Sequence, residues 1–429
     1  MNSNEIYVSL DIGTSSVKVI IGEMVNDTLN IIGVGNVPSE GLRKGSIVDI
    51  DETVHSIKRA IEQAERMIGM DIQQVIVGIT GNHIMLQSSH GVVAVSSENR
   101  EITDDDIARV IDAAQVVSIP PEREIIDVIP KQFIVDGLDE IHDPRGMIGV
   151  RLEMEGSIIT GSKTILHNIL RCVEKAGLEI LDITLQPLAA GAYALSKDEK
   201  NLGVVLVDIG GGSTTIAIFD QGELISTTVL PVGGDHITKD ISIGLRTTSE
   251  EAEKIKLKYG NAFYDHASED IVFDVSMIGS DQHQRFSQLE LSDIIEARME
   301  EIFELVLAEL NRLGIQDVPG GFVLTGGVAN TPGVLEIAQI VLQSRVRIAS
   351  PDYIGVREPQ YTTAVGLIKF AYKNARVQGK QMSDPTVAQE VKEKRPVKKQ
   401  TQTKQPKQEK QPEEKVSTKM KKFFGYFFE

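Results

Sequence analysis

Two short segments carry the same order of residue types. Tyr7-Val-Ser-Leu-Asp11-Ile-Gly13-Thr14-Ser15-Ser16-Val-Lys18 is matched by Val204-Val-Leu-Val-Asp208-Ile-Gly210-Gly211-Gly212-Ser213-Thr214. Each reads as a buried apolar strand ending on Asp, a turn of glycines and hydroxyls, and a further β-branched strand. Such a turn gathers backbone N–H groups around an anion, phosphate above all. Glycine permits close approach, and the hydroxyls of Thr14, Ser15 and Ser16 add donors. Lys18, in the second strand, can reach back as a point charge. Asp11 and Asp208 stand behind the turns and suit Mg²⁺ held through its waters, since Mg²⁺ typically retains several. One such turn is as readily an ordinary hairpin. Two, both after buried strands, favour a two-sided phosphate site.

These turns need domains to carry them. The two Asp residues stand too far apart for a solenoid repeat and suit two domains of similar fold facing one cleft. Helical stripes follow each unit. Thr53 to Gly69 carries Val54, Ile57, Ile61, Ala64 and Ile68, and Thr164 to Gly177 carries Ile165, Ile169, Leu170 and Val173. The longest stripe runs from Leu291 to Leu313, with Met299 in its core face, and feeds the strand Gly321 to Thr325. Leu324-Thr-Gly326-Gly327-Val-Ala-Asn330-Thr-Pro332-Gly333 is then a strand-to-helix turn where a base and ribose can pack on bare backbone, or a plain helix-entry loop. Alternating strands and helices predict an α/β protein with mixed sheets.

Residues 84–162 interrupt that rhythm. A helix from Thr103 to Val117, opened by Thr-Asp-Asp-Asp, precedes a Pro120-Pro121 break and several short strands. This is expected to be an inserted α+β subdomain. From Met382 to Glu414 no aromatic residue occurs, and Lys, Gln, Glu and Pro dominate. Such a stretch cannot bury enough apolar surface to offset its ordering entropy, so a disordered linker is expected over 380–414.

Composition narrows the function classes. At 429 residues and 41% hydrophobic, the chain can build a sizeable core. Its single cysteine, Cys172, excludes a disulfide framework and reads as a small buried apolar residue in a reducing compartment. The scattered His residues, His83, His90 and His142 among them, suggest surface or polar contacts and no metal role. No apolar run of membrane-spanning length is present, and the polar start Met1-Asn-Ser-Asn4 shows no signal peptide. The net charge of −18 is uneven, for residues 380–429 hold 13 Lys/Arg against 7 Asp/Glu. The acidic remainder argues against nucleic acid as a partner.

The order of these elements resembles the superfamily of actin, sugar kinases and heat-shock chaperones. That resemblance implies an actin-like fold around a nucleotide cleft, with ATP and Mg²⁺ as cofactors. It makes Gln186, heading Gln186-Pro-Leu-Ala-Ala-Gly191, the polar residue that orients a water near the γ-phosphate. It makes Glu253 and Lys256 the pair that grips the nucleoside; taken alone, this i,i+3 pair reads more readily as a solvated ion pair. Within the superfamily, the insert singles out one branch. Ile125-Ile-Asp-Val-Ile-Pro130-Lys-Gln-Phe-Ile-Val-Asp136 and Asp143-Pro-Arg-Gly146-Met-Ile-Gly149-Val-Arg151-Leu-Glu153 resemble the insert of the bacterial cell-division FtsA family. The likeness spans residues 5–375, and one departure is Ser157, where many relatives carry His. On this reading the first actin-like domain takes 1–83, 163–195 and a return helix near 360–379. The insert takes 84–162 and the second domain 196–359, of which 230–300 is a smaller subdomain. The family's partners are the tubulin-like FtsZ, received on that smaller subdomain, further copies of the chain, and later division proteins.

Residues 415–429 carry a separate signal. Val416, Met420, Phe423, Phe424, Phe427 and Phe428 fall on one helical face, with Lys421 and Lys422 opposite. The segment would span about 22 Å, too short and basic to cross a bilayer. It fits a helix lying in the interface against anionic lipid, on the cytoplasmic side of the cell membrane; the alternative is a terminal helix docked on the body. Burying four Phe side chains gives roughly 6–12 kcal/mol, and ordering about 14 residues costs ~1–2 kcal/mol each. One helix therefore binds reversibly, while a polymer presenting several binds firmly. The expectation is a cell-division scaffold with slow ATP hydrolysis at most. The competing classes are a kinase or ATPase of the superfamily, or another membrane-associated actin relative such as MreB or a pilus-assembly protein.

Overall fold

Hydrophobic alternation and turn chemistry build the first sheet from the N-terminus. In the computed structural model, which describes residues 5–43, 45–279 and 283–378, β1 (Glu5–Ile12), β2 (Ser16–Val25) and β3 (Thr28–Pro38) run antiparallel in sequence. A ribbon of β4 (Leu42–Arg43) and β5 (Ser46–Ile47) leads to α1 (Ile50–Ile68), and β6 (Gln74–Ile79) returns parallel to β1. Helix α1 starts ahead of the periodic stripe because the Asp49 side chain accepts the Glu52 N–H at 3.1 Å. It stops where Gly69 takes the left-handed conformation, φ 68°. The linker 380–414 and the segment 415–429 lie outside the described residues, as does all of the second compact unit, Thr386–Glu429.

The insert is a sheet backed by one helix. It contains β7 (Met85–Ala94), α2 (Asp104–Ala114), β8 (Arg123–Val135), β9 (Leu138–Ile141) and β10 (Arg151–Ser162), in strand order β7-β10-β8-β9. Helix α2 opens with a capping box between Thr103 and Asp106. Asp106 is buried, and its hydrogen bonds from Thr103 and Ser96 outweigh desolvation and hold its pKa well below the usual range. The insert has its own core, with Ile107, Val110, Phe133, Leu152 and Met154 all buried.

After the insert, α3 (Lys163–Lys175) and β11 (Glu179–Leu185) complete the first domain, whose sheet order is β11-β6-β1-β2-β3. Cys172 is fully buried on α3. Helices α4 (Gln186–Ala194) and α5 (Lys197–Leu202) cross to the second half. There β12 (Val204–Ile209), β13 (Thr214–Asp220) and β14 (Glu223–Leu230) repeat the antiparallel start. Next come α6 (Gly234–Gly244), α7 (Ser249–Tyr259), the ribbon β15 (Val272–Ser276) and β16 (His283–Ser287), and α8 (Gln288–Arg312). Helix α8 begins three residues before the expected Leu291 because Ser287 and Glu290 form a capping box. Then β17 (Phe322–Thr325), α9 (Val334–Leu342) and β18 (Val346–Ile348) close a sheet of order β14-β13-β12-β17-β18. This is the first sheet's topology, strand for strand.

Central strand β12 is buried on both faces, which explains its unbroken apolar run. Val204 and Leu206 pack into the core shared with the first domain, and Val205, Val207 and Ile209 into the second domain's own. The fold is thus α/β and actin-like: two similar domains with mixed sheets around a cleft, plus an inserted α+β subdomain.

The last described helix, α10 (Thr362–Gln378), follows the second sheet yet packs on the first. Its Val365, Ile368 and Ala371 share a core with Tyr7, Ile20 and Ile76. It crosses α4 so closely that a Cβ on Gly366 would lie 2.0 Å from the Ala189 carbonyl oxygen. Gly366→Ala must therefore push the helices apart, at a cost of ~1–3 kcal/mol. The expected outcome is a lowered denaturation midpoint with an unchanged denaturant slope, measured by urea unfolding of the nucleotide-free protein.

Candidate functional site

The cleft is organised by two carboxylates near the C-terminal ends of the central strands, Asp11 buried and Asp208 half-buried. Asp11 is the penultimate residue of β1, opposite Lys18 in the hairpin register, and Asp208 the penultimate residue of β12, opposite Thr215. Asp11 accepts a hydrogen bond from Gln186 Nε2 at 2.7 Å and lies 3.7 Å from Lys18 Nζ. Burial raises its pKa, opposed by Lys18 and Gln186. Asp208 accepts a hydrogen bond from Thr363 Oγ1 at 3.1 Å. Burial, and then the charge of Asp11, push its pKa up to about 6 despite that bond. Two facing carboxylates, raised by burial and one by the other, invite a dication. They are too few to strip Mg²⁺ of its waters, which fits a water-mediated hold.

In front of the carboxylates the two turns are built alike. Gly13 N–H donates to Ser16 C=O at 3.0 Å, and Gly210 N–H donates to Ser213 C=O at 3.0 Å. They also meet. A Cβ on Gly211 would lie 1.6 Å from Ser15 Oγ, and one on Gly212 would lie 2.6 Å from Thr14 Cγ2. Ser15 Oγ donates to Asp235 Oδ1 at 3.3 Å, a bond between the domains. Thr14 Oγ1 accepts the Gly45 N–H at 3.2 Å. Behind the second turn, the first residues of α6 donate to it, Gly234 N–H to Gly210 C=O and Asp235 N–H to Gly211 C=O.

Glu253 and Lys256 share one face of α7 and pair at 2.6 Å. Lys256 Nζ also donates to Thr238 Oγ1 at 2.8 Å and to Gly234 C=O at 3.2 Å, and Thr238 Oγ1 donates to Glu253. The ion pair is thus tied to the start of α6, beside Val328 of the third glycine turn. Gly326, at φ 90°, lets its chain pass Asp208, since a Cβ there would lie 2.4 Å from Asp208 Oδ1. Gly327 has open space beside it, and Asn330 is exposed. Gln186, the first residue of α4, also lines a small pocket with Asp208 and Thr215.

Thr214 is the first residue of β13. It is fully buried, and its hydroxyl donates to the Val232 carbonyl at 2.8 Å, so only its backbone is available to the turn. Strand alternation turns this side chain inward while Ser213 stays in the loop. Four further residues around the cleft lie outside the sequence motifs: Asp235 and Thr238 on α6, Gly45, and Thr363. The Pro231-Val-Gly-Gly-Asp235 stretch, a strand end followed by a glycine helix entry, was a readable signal for α6. Thr363 had none, because no local pattern links it to Asp208. The terminal candidates Met420, Lys421, Lys422, Phe423, Phe424, Phe427 and Phe428 lie outside the described residues.

Comparison with known proteins follows the same architecture. The family model described as "Cell division protein FtsA" matches residues 205–366, and that described as "SHS2 domain inserted in FTSA" matches residues 81–160. The cell division protein FtsA of Bacillus subtilis is 68% identical over 382 residues, covering 89% of this chain and 87% of its own. That of Enterococcus faecalis is 42% identical over 440 residues, covering 100% of both. Among solved structures, MreB5 of Spiroplasma citri bound to ADP superposes with a TM-score of 0.54 at 16% identity, over 87% of this chain and 98% of its own. That last likeness is one of fold. The identities to the division proteins go further, and the chain belongs to the FtsA family of bacterial cell-division proteins.

Proposed function

We propose that the chain is an ATP-loaded scaffold that polymerises on the cytoplasmic face of the cell membrane and anchors FtsZ filaments there for assembly of the division ring. The observation that carries the nucleotide half is the matched pair of turns with Asp11 and Asp208 behind them. On this reading the turns Gly13–Ser16 and Gly210–Thr214, with Lys18, hold the phosphates. Asp11 and Asp208 hold Mg²⁺ through its waters, and the metal neutralises phosphate charge. Glu253 and Lys256, with Gly326, Gly327 and Asn330, receive the nucleoside. Gln186, held on Asp11, is placed to orient a water, so slow hydrolysis is compatible with the site. The fold neighbour solved with ADP supports the assignment.

The cell-division half rests on the family and on the chain's C-terminal residues. The domain plan is two actin-like domains (1–83 with 163–195, and 196–359) and the insert at 84–162. Its smaller subdomain, 230–300, receives FtsZ, and the insert meets neighbouring copies and later division proteins. The linker 380–414 gives reach, and 415–429 lies on anionic lipid with Met420, Phe423, Phe424, Phe427 and Phe428 inward and Lys421 and Lys422 toward headgroups. Polymerisation is what makes a weak anchor firm.

Co-sedimentation with anionic liposomes, with ATP and Mg²⁺, tests the tether directly. The full chain is expected to pellet and to carry FtsZ polymers down, and a chain ending at Glu414 is expected to do neither. Equal pelleting by the shortened chain would make 415–429 a self-docking element and remove the anchor.

Asp208 gives a pH test of the cleft. Its folded pKa of about 6 lies above the ordinary carboxylate value, so its ionisation destabilises the nucleotide-free protein above pH 6. That penalty fades as pH falls through 6 toward 4. Asp208→Asn is therefore expected to raise the nucleotide-free stability at pH 7.5 by ~2 kcal/mol, with a gain that shrinks at pH 4.5. The same variant should lose most of the affinity for ATP that Mg²⁺ confers. Thermal melts across pH and calorimetric titration with ATP read the two effects.

A further inference from the structure

The duplicated topology gives each cleft carboxylate an equivalent neighbour. In the first half the chain leaves β11, the fifth strand of its sheet, and enters α4, whose first residue Gln186 donates to Asp11 at 2.7 Å. In the second half it leaves β18, the fifth strand of the matching sheet, and the next α-helix it enters is α10. The second residue of that helix, Thr363, donates to Asp208 at 3.1 Å. The two helices cross at Gly366 and Ala189 in direct backbone contact, so the two donors are mounted on one rigid pair.

The environment of Thr363 is built for that bond. The side chain is only 6% exposed, and the preceding Thr362 is fully buried, with its hydroxyl committed to the Ala349 carbonyl at 3.3 Å. On the other side of Asp208, Gly326 passes so close that any larger residue would strike Oδ1. One oxygen of Asp208 is therefore confined by backbone and the other by the Thr363 hydroxyl. The far end of α10 is fixed as well. Arg145 of the insert donates to the Arg376 and Val377 carbonyls at 2.7 and 3.2 Å, and Gln378 donates to Val128 C=O at 3.0 Å. A helix pinned at both ends presents its first turn with little freedom, which is what a preorganised polar contact requires.

We propose that Thr363 is a positioning residue of the nucleotide site: its hydroxyl, the counterpart of the Gln186 amide in the duplicated half, holds Asp208 in the orientation that faces the hydrated metal of an Mg²⁺–nucleotide. The inference rests on the nucleotide reading above and assigns to it a residue outside the three glycine-rich turns. Thr363 does not touch phosphate or metal; it acts through Asp208. The residue type fits, because a hydroxyl donates one hydrogen bond to a carboxylate without adding charge or bulk.

The test is calorimetric titration of the full chain with ATP, in Mg²⁺ and in EDTA, for the wild type, Thr363→Val and Thr363→Ser. Loss of a hydrogen bond to a charged group is expected to weaken ATP binding about tenfold in Mg²⁺ for Thr363→Val. Binding in EDTA should stay within about twofold, because the phosphate turns are untouched, and Thr363→Ser should restore the Mg²⁺ result. Hydrogen exchange of the nucleotide-free protein gives a second reading: amides at the end of β12 should exchange faster in Thr363→Val and normally in Thr363→Ser. Three results would overturn the proposal: an unchanged Mg²⁺ affinity in Thr363→Val, equal weakening with and without Mg²⁺, or a failure of serine to rescue. If Thr363→Val does not fold, Thr363→Ala takes its place under the same criteria. A wild type that gains no ATP affinity from Mg²⁺ is a different failure: it removes the nucleotide reading itself, and this inference with it.

Discussion

Two carboxylates that raise one another's energy sit at the centre of the protein. Asp11 and Asp208 lie near the C-terminal ends of the middle strands of two sheets, the first buried and the second half-buried, with Lys18 as the cation beside Asp11. Burying like charges in this way is costly unless something of opposite sign is supplied. The surrounding structure is the means of holding them there. Gln186 and Thr363 each give one hydrogen bond, and the close crossing of α4 and α10 keeps those donors in place. A stability optimum alone would replace this pair with apolar residues. Its presence marks the cleft as a place where stability gives way to charge recognition.

The duplicated architecture explains how one small arrangement recurs without similar sequence around it. Both sheets have the same strand order, and both place an Asp at the end of the first strand with a glycine turn after it. The helices after the fifth strands do not stay at home. Helix α10 follows the second sheet and covers the first, so the halves are joined through core packing as well as through the chain. The insert is tied into the same joint. Arg145, bonded to Asp104 and Asp143, caps carbonyls at the end of α10, and Asn374 donates to Asp127 of β8 at 3.2 Å. One helix of 17 residues thus touches the cleft at its first turn and the insert at its last.

Legibility followed the range of the interactions. The two Asp-Ile-Gly turns, the α/β alternation and the insert were readable because each is written in contiguous residues. Helix starts were missed by about three residues where a polar cap extended the element beyond its apolar stripe, as at Asp49 and Ser287. That the Thr214 hydroxyl turns into the core is decided by strand alternation and not by residue type. Glu253 and Lys256 were ambiguous in sequence, and only the packing of α7 against α6 brings them to Gly234 and Thr238. Thr363 was invisible for the strongest version of that reason. Its partner lies 155 residues away, and the two meet only after both domains and the crossover helix have formed.

The contact between the turns constrains how the site can be filled. Ser15 rests against Gly211 and Thr14 against Gly212, with the Ser15 hydroxyl bonded across the cleft to Asp235. On the proposed nucleotide reading, phosphate oxygens would need that same space, so the turns would have to separate and the Ser15–Asp235 bond give way to bonds with the ligand. The crossing of α4 and α10 sets where such movement can originate. Backbones in contact without intervening side chains can rotate on one another, but they cannot slide apart without opening a void. Separation of the turns is therefore expected as a small rotation about that crossing. Such a rotation acts on α10, whose far end is bonded to the insert. Helix α10 is held by hydrogen bonds at both ends, Thr363 to Asp208 at its first turn and Arg145 of the insert to the Arg376 and Val377 carbonyls at its last.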